Sequence, residues 1–158
     1  MSNELRVTVK SLAPTPTGCG VFLGNGDEKV IAIFVDHSAA AAITMFMHHV
    51  KKPRPLTHDF IANILTGLDI KVEKMVINDL KDDTFFARIF LHQENELGRK
   101  IVEIDARPSD SIAMALQQKC PIFVNREVWN QAENMIWAFE EASSGMEDED
   151  DLGEEEEG

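Results

Sequence analysis

Cysteine is scarce in this 158-residue chain: Cys19 and Cys120 are the only two, and they do not form a metal-spacing motif. Two reduced thiols are the expectation, with a single disulfide between them the open alternative. Long apolar runs are missing as well. None approaches the roughly 20 residues that span a bilayer. The start, Met1 to Arg6, shows no basic stretch followed by an apolar one. A cytoplasmic protein without membrane contact is therefore expected. Bases are few, with 15 Lys and Arg against 28 Asp and Glu. Lys51, Lys52 and Arg54 form the only compact basic cluster, well short of the basic stripe expected of a nucleic-acid binder. A glycine-rich phosphate loop, HExxH, GxSxG and a cysteine cluster are all absent.

The charge that is present is unevenly placed. Residues 140–158 hold 11 acids and no Lys or Arg, whereas residues 1–139 carry 17 acids against 15 bases. The body is close to neutral and the end supplies the acidity. Such a block repels itself and has little to bury, which predicts a disordered acidic tail over 143–158 beyond one domain over 1–142. Two readings of the tail are open: a solubilising segment, or one that competes with nucleic acid for a basic patch.

Hydrophobic periodicity predicts strands over about 5–12, 19–23 and 29–35, then a helix from Ser38 to Val50 with Ser38 as its cap. Lys51 to Pro55 breaks that helix, and Thr57 suits the cap of a second one carrying Phe60, Ile61, Ile64, Leu65 and Leu68 at helical spacing. Strands follow over about 70–78, 84–91 and 99–105. A helix begins at Pro108, a short strand runs over 121–124, and a last helix over about 127–142 carries Trp129 and Trp137 on one face. Three strands and a helix thus occur twice, 69 residues apart. Asp36 then falls on Asp105, Ile43 on Ile112 and Met45 on Met114. The fold class expected is α+β: two β-meander-plus-helix repeats in one compact domain, with a largely antiparallel sheet and helices on one face.

Two segments concentrate chemistry. Ile104-Asp105-Ala106-Arg107-Pro108-Ser109-Asp110 takes a strand into a helix and sets two acids and a base at the junction. Asp110 falls in the first helical turn, where the dipole favours a carboxylate. One reading is structural: Ser109 and Asp110 cap the helix while Arg107 pairs with Asp105. The other is functional: Asp105 and Asp110 hold a divalent cation or polarise water, and Arg107 presents its planar fork to a phosphate. Arg54-Pro55-Leu56-Thr57-His58-Asp59 starts another helix. There His58 and Asp59 are either surface and capping residues or a proton-transfer pair, since an unperturbed histidine titrates near pH ~6.5.

These two segments, with Val76 to Leu80, Thr84 to Ala87 and Pro121 to Val124, resemble the bifunctional nuclease domain. The resemblance spans roughly Leu5 to Glu133 and implies a compact α+β homodimer whose plant members hydrolyse RNA and DNA. It implies His58, Asp59, Asp105 and Asp110 as catalytic residues, and Arg54, Thr57, Arg107 and Ser109 as the phosphate-binding set. The carboxylate count points to Mg²⁺ or Mn²⁺ on Asp105 and Asp110, since hard oxygen ligands suit both ions. One departure stands out: the family usually carries a glutamate where this chain has Ala39. The expectation is a nuclease. The alternative is a non-catalytic dimeric module that binds a small anion or a protein partner.

Overall fold

The computed structural model describes residues 3–26 and 28–145. The first meander comprises β1 (Glu4–Thr15), β2 (Gly18–Gly24) and β3 (Val30–Asp36), and leads into α1 (His37–Met47). After α2 (Thr57–Gly67) the second meander comprises β4 (Ile70–Lys81), β5 (Thr84–Asn95) and β6 (Gly98–Ala106), and leads into α3 (Pro108–Gln118). The expected repeat is therefore present. Asp82 and Asp83 both take positive φ, 50° and 63°, which matches the twist of the tight β4–β5 hairpin.

β7 (Ile122–Asn125) joins the halves. The order is β3-β2-β1-β7-β4-β5-β6, with β7 antiparallel to β1 and parallel to β4. β1 serves both halves: Glu4 to Val7 pair with β7, and Thr8 to Thr15 with β2. A register shift between Val9 and Ser11 lies just past this division. Such irregularities increase twist and bend a strand.

The main core gathers Val21, Leu23, Ile31 and Ile33 from the first meander with Met75, Ile77, Ala87 and Ile89 from the second. Ile43 and Ile112, aligned by the repeat, enter this core from α1 and α3 and are both fully buried. The helices are not confined to one face of the sheet, contrary to expectation. Phe22, Val30 and Ala32 point away from the main core and are covered by Met135, Ile136 and Phe139. Phe22 and Phe139 meet edge to face at 5.7 Å. β2 is consequently buried along its whole length.

The last helix also departs from expectation. It divides into α4 (Arg126–Gln131) and a second helix over 136–145. Asn134 makes the break. Its side-chain oxygen accepts from the Ile136 and Val30 N–H groups at 3.1 and 3.2 Å, so it caps the second helix and ties it to the β3 edge. Trp129 and Trp137 therefore do not share a helix: Trp129 packs against the core, and Trp137 is largely exposed. The helix continues through 143–145, where disorder is expected from sequence; the acidic residues from 147 onward lie outside the described residues.

Two caps are reassigned. α1 begins at His37, and Asp36 rather than Ser38 accepts from the Ala39 N–H at 2.8 Å. α2 begins at Thr57, with Leu56 in the cap position. No helix among the described residues is long and apolar enough to cross a membrane.

Candidate functional site

The two chemistry-bearing segments meet within one chain. His58, in the first turn of α2, places Nε2 at 3.0 Å from Asp110 Oδ1 in the first turn of α3. Arg107 donates from Nε to Asp110 Oδ2 at 3.4 Å, a long contact. Asp110 thus lies between the imidazole and the guanidinium, and Arg107 pairs with Asp110 rather than with Asp105. The His58 side chain is only 13% exposed, whereas Arg107 is 67% exposed and free to reach outward.

α2 is held in this register by Asp59. Its Oδ2 accepts from the Leu56 N–H at 2.9 Å and pairs with Lys52 Nζ at 3.2 Å, while Oδ1 accepts from Gln117 on α3 at 3.0 Å. Burial opposes ionisation of this carboxyl. The bonds from Leu56, Gln117 and Lys52 outweigh it and hold the pKa below the ordinary aspartate value. Lys52 also stands 4.4 Å from the Phe46 ring centroid, and Phe46 meets His58 edge-on at 5.9 Å. The basic cluster is therefore partly spent on structure. Both oxygens of Asp59 are engaged in fixing the start of α2 and its distance from α3.

Asp59→Asn is expected to destabilise the fold by about 1 kcal/mol, the usual worth of a helix-start carboxylate or cap. The folded-state pKa lies below the unfolded one, so the contribution is complete above the ordinary carboxyl range. It is lost as pH falls through the depressed folded value. Melting curves of both proteins should converge on acidification; a constant difference down to the lowest pH would contradict this role.

His58, Thr57, Asp105, Arg107 and Asp110 line one cavity of about 1030 Å³. Its floor is apolar and reaches the buried core at Ala42, Ile89 and Met114. Its mouth carries exposed polar residues, Asp36, Thr57, Thr84, Asp105 and Arg107. Three of the expected residues lie elsewhere. Asp59 packs behind the cavity, Arg54 is exposed in the linker without lining it, and Ser109 lines a smaller neighbouring cavity of about 320 Å³. Sequence reading passed over Asp36, Phe85 and Phe86 as cavity residues. The alignment of Asp36 with Asp105 in the repeat carried the signal for the first; the aromatic pair lay in the Thr84 to Ala87 segment of the resemblance, which gave it no role at the site.

A divalent cation fits these residues poorly. Among the described residues no group of three or more His, Cys, Asp or Glu gathers. The oxygens of Asp110 already face an imidazole and a guanidinium, where a second positive charge is repelled. The Asp105 side chain makes no hydrogen bond or ion pair among the described residues and is exposed at the mouth. Cys19 and Cys120 are unpaired, and burial pushes both thiols above their usual pKa. Neither is therefore an activated nucleophile.

Residues 21–136 match the bifunctional nuclease domain. An uncharacterized protein of Mycobacterium tuberculosis is 37% identical over 112 residues, which is 71% of this chain and 63% of that protein. Bifunctional nuclease 1 of Oryza sativa subsp. indica is 24% identical over 105 residues, 66% of this chain and 31% of the plant protein. Bifunctional nuclease 1 of Arabidopsis thaliana is 24% identical over 102 residues, 65% and 31% of the two chains. The match thus spans less than two thirds of the mycobacterial relative and about a third of the plant ones.

Proposed function

We propose, from the premise that this chain belongs to the bifunctional nuclease domain family, that it hydrolyses phosphodiester bonds of RNA or DNA at the His58–Asp110 cavity. The observation that carries the reading is the 3.0 Å contact between His58 Nε2 and Asp110 Oδ1 at the wall of a cavity that also holds Arg107. With Nε2 bonded to the carboxylate, Nδ1 is the nitrogen left to take a proton from water. The water oxygen attacks phosphorus, the bond to the leaving oxygen breaks, and solvent protonates the alkoxide. Asp110 fixes the ring and stabilises the imidazolium that forms. The terminal nitrogens of Arg107 and the hydroxyl of Thr57 donate to the non-bridging phosphate oxygens. Asp105 orients the water. The step is carried by the chain's own groups, and Mg²⁺ or Mn²⁺ at Asp105 and Asp110 is the competing arrangement.

A homodimer accompanies this reading. The outer face of α2 leaves Phe60 and Ile64 59% and 45% exposed, and β6 forms a sheet edge on which Ile101 is 51% exposed. Unsatisfied edges and apolar patches of this kind are usually covered. Ala39 favours the non-catalytic alternative, because it lines the cavity at the position where the resemblance implies a glutamate.

The test is cleavage of labelled single-stranded RNA and DNA by wild type and Asp105→Asn, each with Mg²⁺, Mn²⁺ or chelator. Cleavage that survives chelation and falls in the variant fits the proposal. Cleavage that requires a metal would replace the mechanism. No cleavage by wild type in any arm would move the assignment to an anion-binding module.

A further inference from the structure

The same cavity also carries a statement about substrate size, which rests on the phosphodiesterase reading above. The lining includes three acids, Asp36, Asp105 and Asp110, against one permanent cation, Arg107. The nearest basic cluster offers little more, because Lys52 is paired with Asp59 and stacked on Phe46. A nucleic-acid strand carries one negative charge per nucleotide. One phosphate at Arg107 is matched; the phosphates on either side of it would meet acids. The cavity volume of about 1030 Å³ is at the upper end of the roughly 300–1,000 Å³ that encloses a drug-sized ligand. Its apolar floor is flanked by Phe85 and Phe86, and an aromatic side chain stacks on the face of any base.

We infer that the cavity is built for a dinucleotide with a single internal phosphate, one base lodged against Phe86 and the phosphate at Arg107, rather than for the interior of a long strand or a duplex. Affinity then comes from burying a base, not from counterion release, and depends weakly on salt. Thr84 is exposed at the cavity mouth and takes no part in the proposed chemistry, so it is the place to alter the charge.

The experiment compares a dinucleoside monophosphate with a labelled thirty-nucleotide strand of the same bases, using the full chain at low and high salt. Wild type is expected to favour the dinucleotide by about tenfold or more in kcat/KM per bond, with little salt dependence. Phe86→Ala should raise KM for the dinucleotide by about tenfold and leave kcat nearly unchanged. Thr84→Lys should improve use of the long strand, in a salt-dependent way, without improving that of the dinucleotide. A wild-type preference for the long strand that collapses with salt overturns the inference and leaves the nuclease assignment standing. If nothing is cleaved, binding of a dinucleoside phosphorothioate is measured by calorimetry beside the same long strand. Preferential binding of the dinucleotide upholds the inference while the catalytic reading fails; equal binding, or none, overturns it.

Discussion

Asp110→Asn is expected to lower phosphodiester cleavage by about 10²–10⁴-fold, the usual contribution of a positioned proton-transfer group. The carboxylate contacts His58 at 3.0 Å and Arg107 at 3.4 Å. An amide of the same shape cannot stabilise an imidazolium, and its NH₂ group confronts one of the two donors. His58 loses the partner that fixes its ring, and Arg107 loses the anchor that aims its outer nitrogens. The fold should persist. Asp110 is 42% exposed, and its favourable place in the first turn of α3 is worth only about 0.3–1 kcal/mol. Steady-state kinetics beside a thermal melt check both halves. Unchanged turnover would remove Asp110 from the mechanism. Loss of turnover with a collapsed melt would show that Asp110 supports the fold instead.

Ile112→Ala is expected to cost about 2–5 kcal/mol, because it deletes buried methyl and methylene groups from a packed core. Ile112 has no exposed surface and lies in the same core as Ile43, Met75 and Ile77. It stands two residues after Asp110 on α3, so a loosened helix would also blur the His58–Asp110 distance. Lower stability and lower activity should therefore appear together. Leu97→Ala, at a side chain that is 98% exposed between β5 and β6, is the comparison. A surface change of that kind usually stays within about 0.5 kcal/mol. A melt for Ile112→Ala within that same margin would contradict the packing described here. Ile101→Ala, on the β6 edge, is expected to be costly only in a protein-concentration-dependent way, the mark of a dimer contact.

The fold was legible where local chemistry and tertiary structure agree. The repeat was visible because each meander carries an aspartate at or one residue before its end, Asp36 and Asp105, and each following helix buries an isoleucine at the same offset, Ile43 and Ile112. The break in the last helix was not visible. Asn134 lies inside a run with helical periodicity, and its capping role depends on the Val30 N–H, which is brought to it from over a hundred residues away. The second buried face of β2 was hidden for the same reason: alternation shows that Phe22 faces away from Val21, but not what covers it. Asp36 won the α1 cap over Ser38 because β3 continues to that residue, a boundary set by its pairing with Gly18 on β2.

The site was half legible. His58 at a helix start, and Asp105, Arg107 and Asp110 at a strand-to-helix junction, stood out as candidate residues, and the cavity collects all four. Their mutual contacts were not readable, because His58 and Asp110 meet across 52 residues of sequence. Asp59 resembles a second catalytic acid in sequence. In space its oxygens are engaged by Leu56, Lys52 and Gln117, so it positions the helix that carries His58. Lys52 likewise reads as a free base, yet it packs on Phe46 behind the histidine.

The central claim is that His58, held by Asp110 within one chain, moves the proton in phosphodiester cleavage. The most direct measurement is the single-turnover rate on a labelled single strand for wild type and His58→Ala, purified identically and matched by melting temperature. The account predicts a loss of about 100-fold or more with the melt little changed. Equal rates would mean that the cleavage arises elsewhere, and would contradict it.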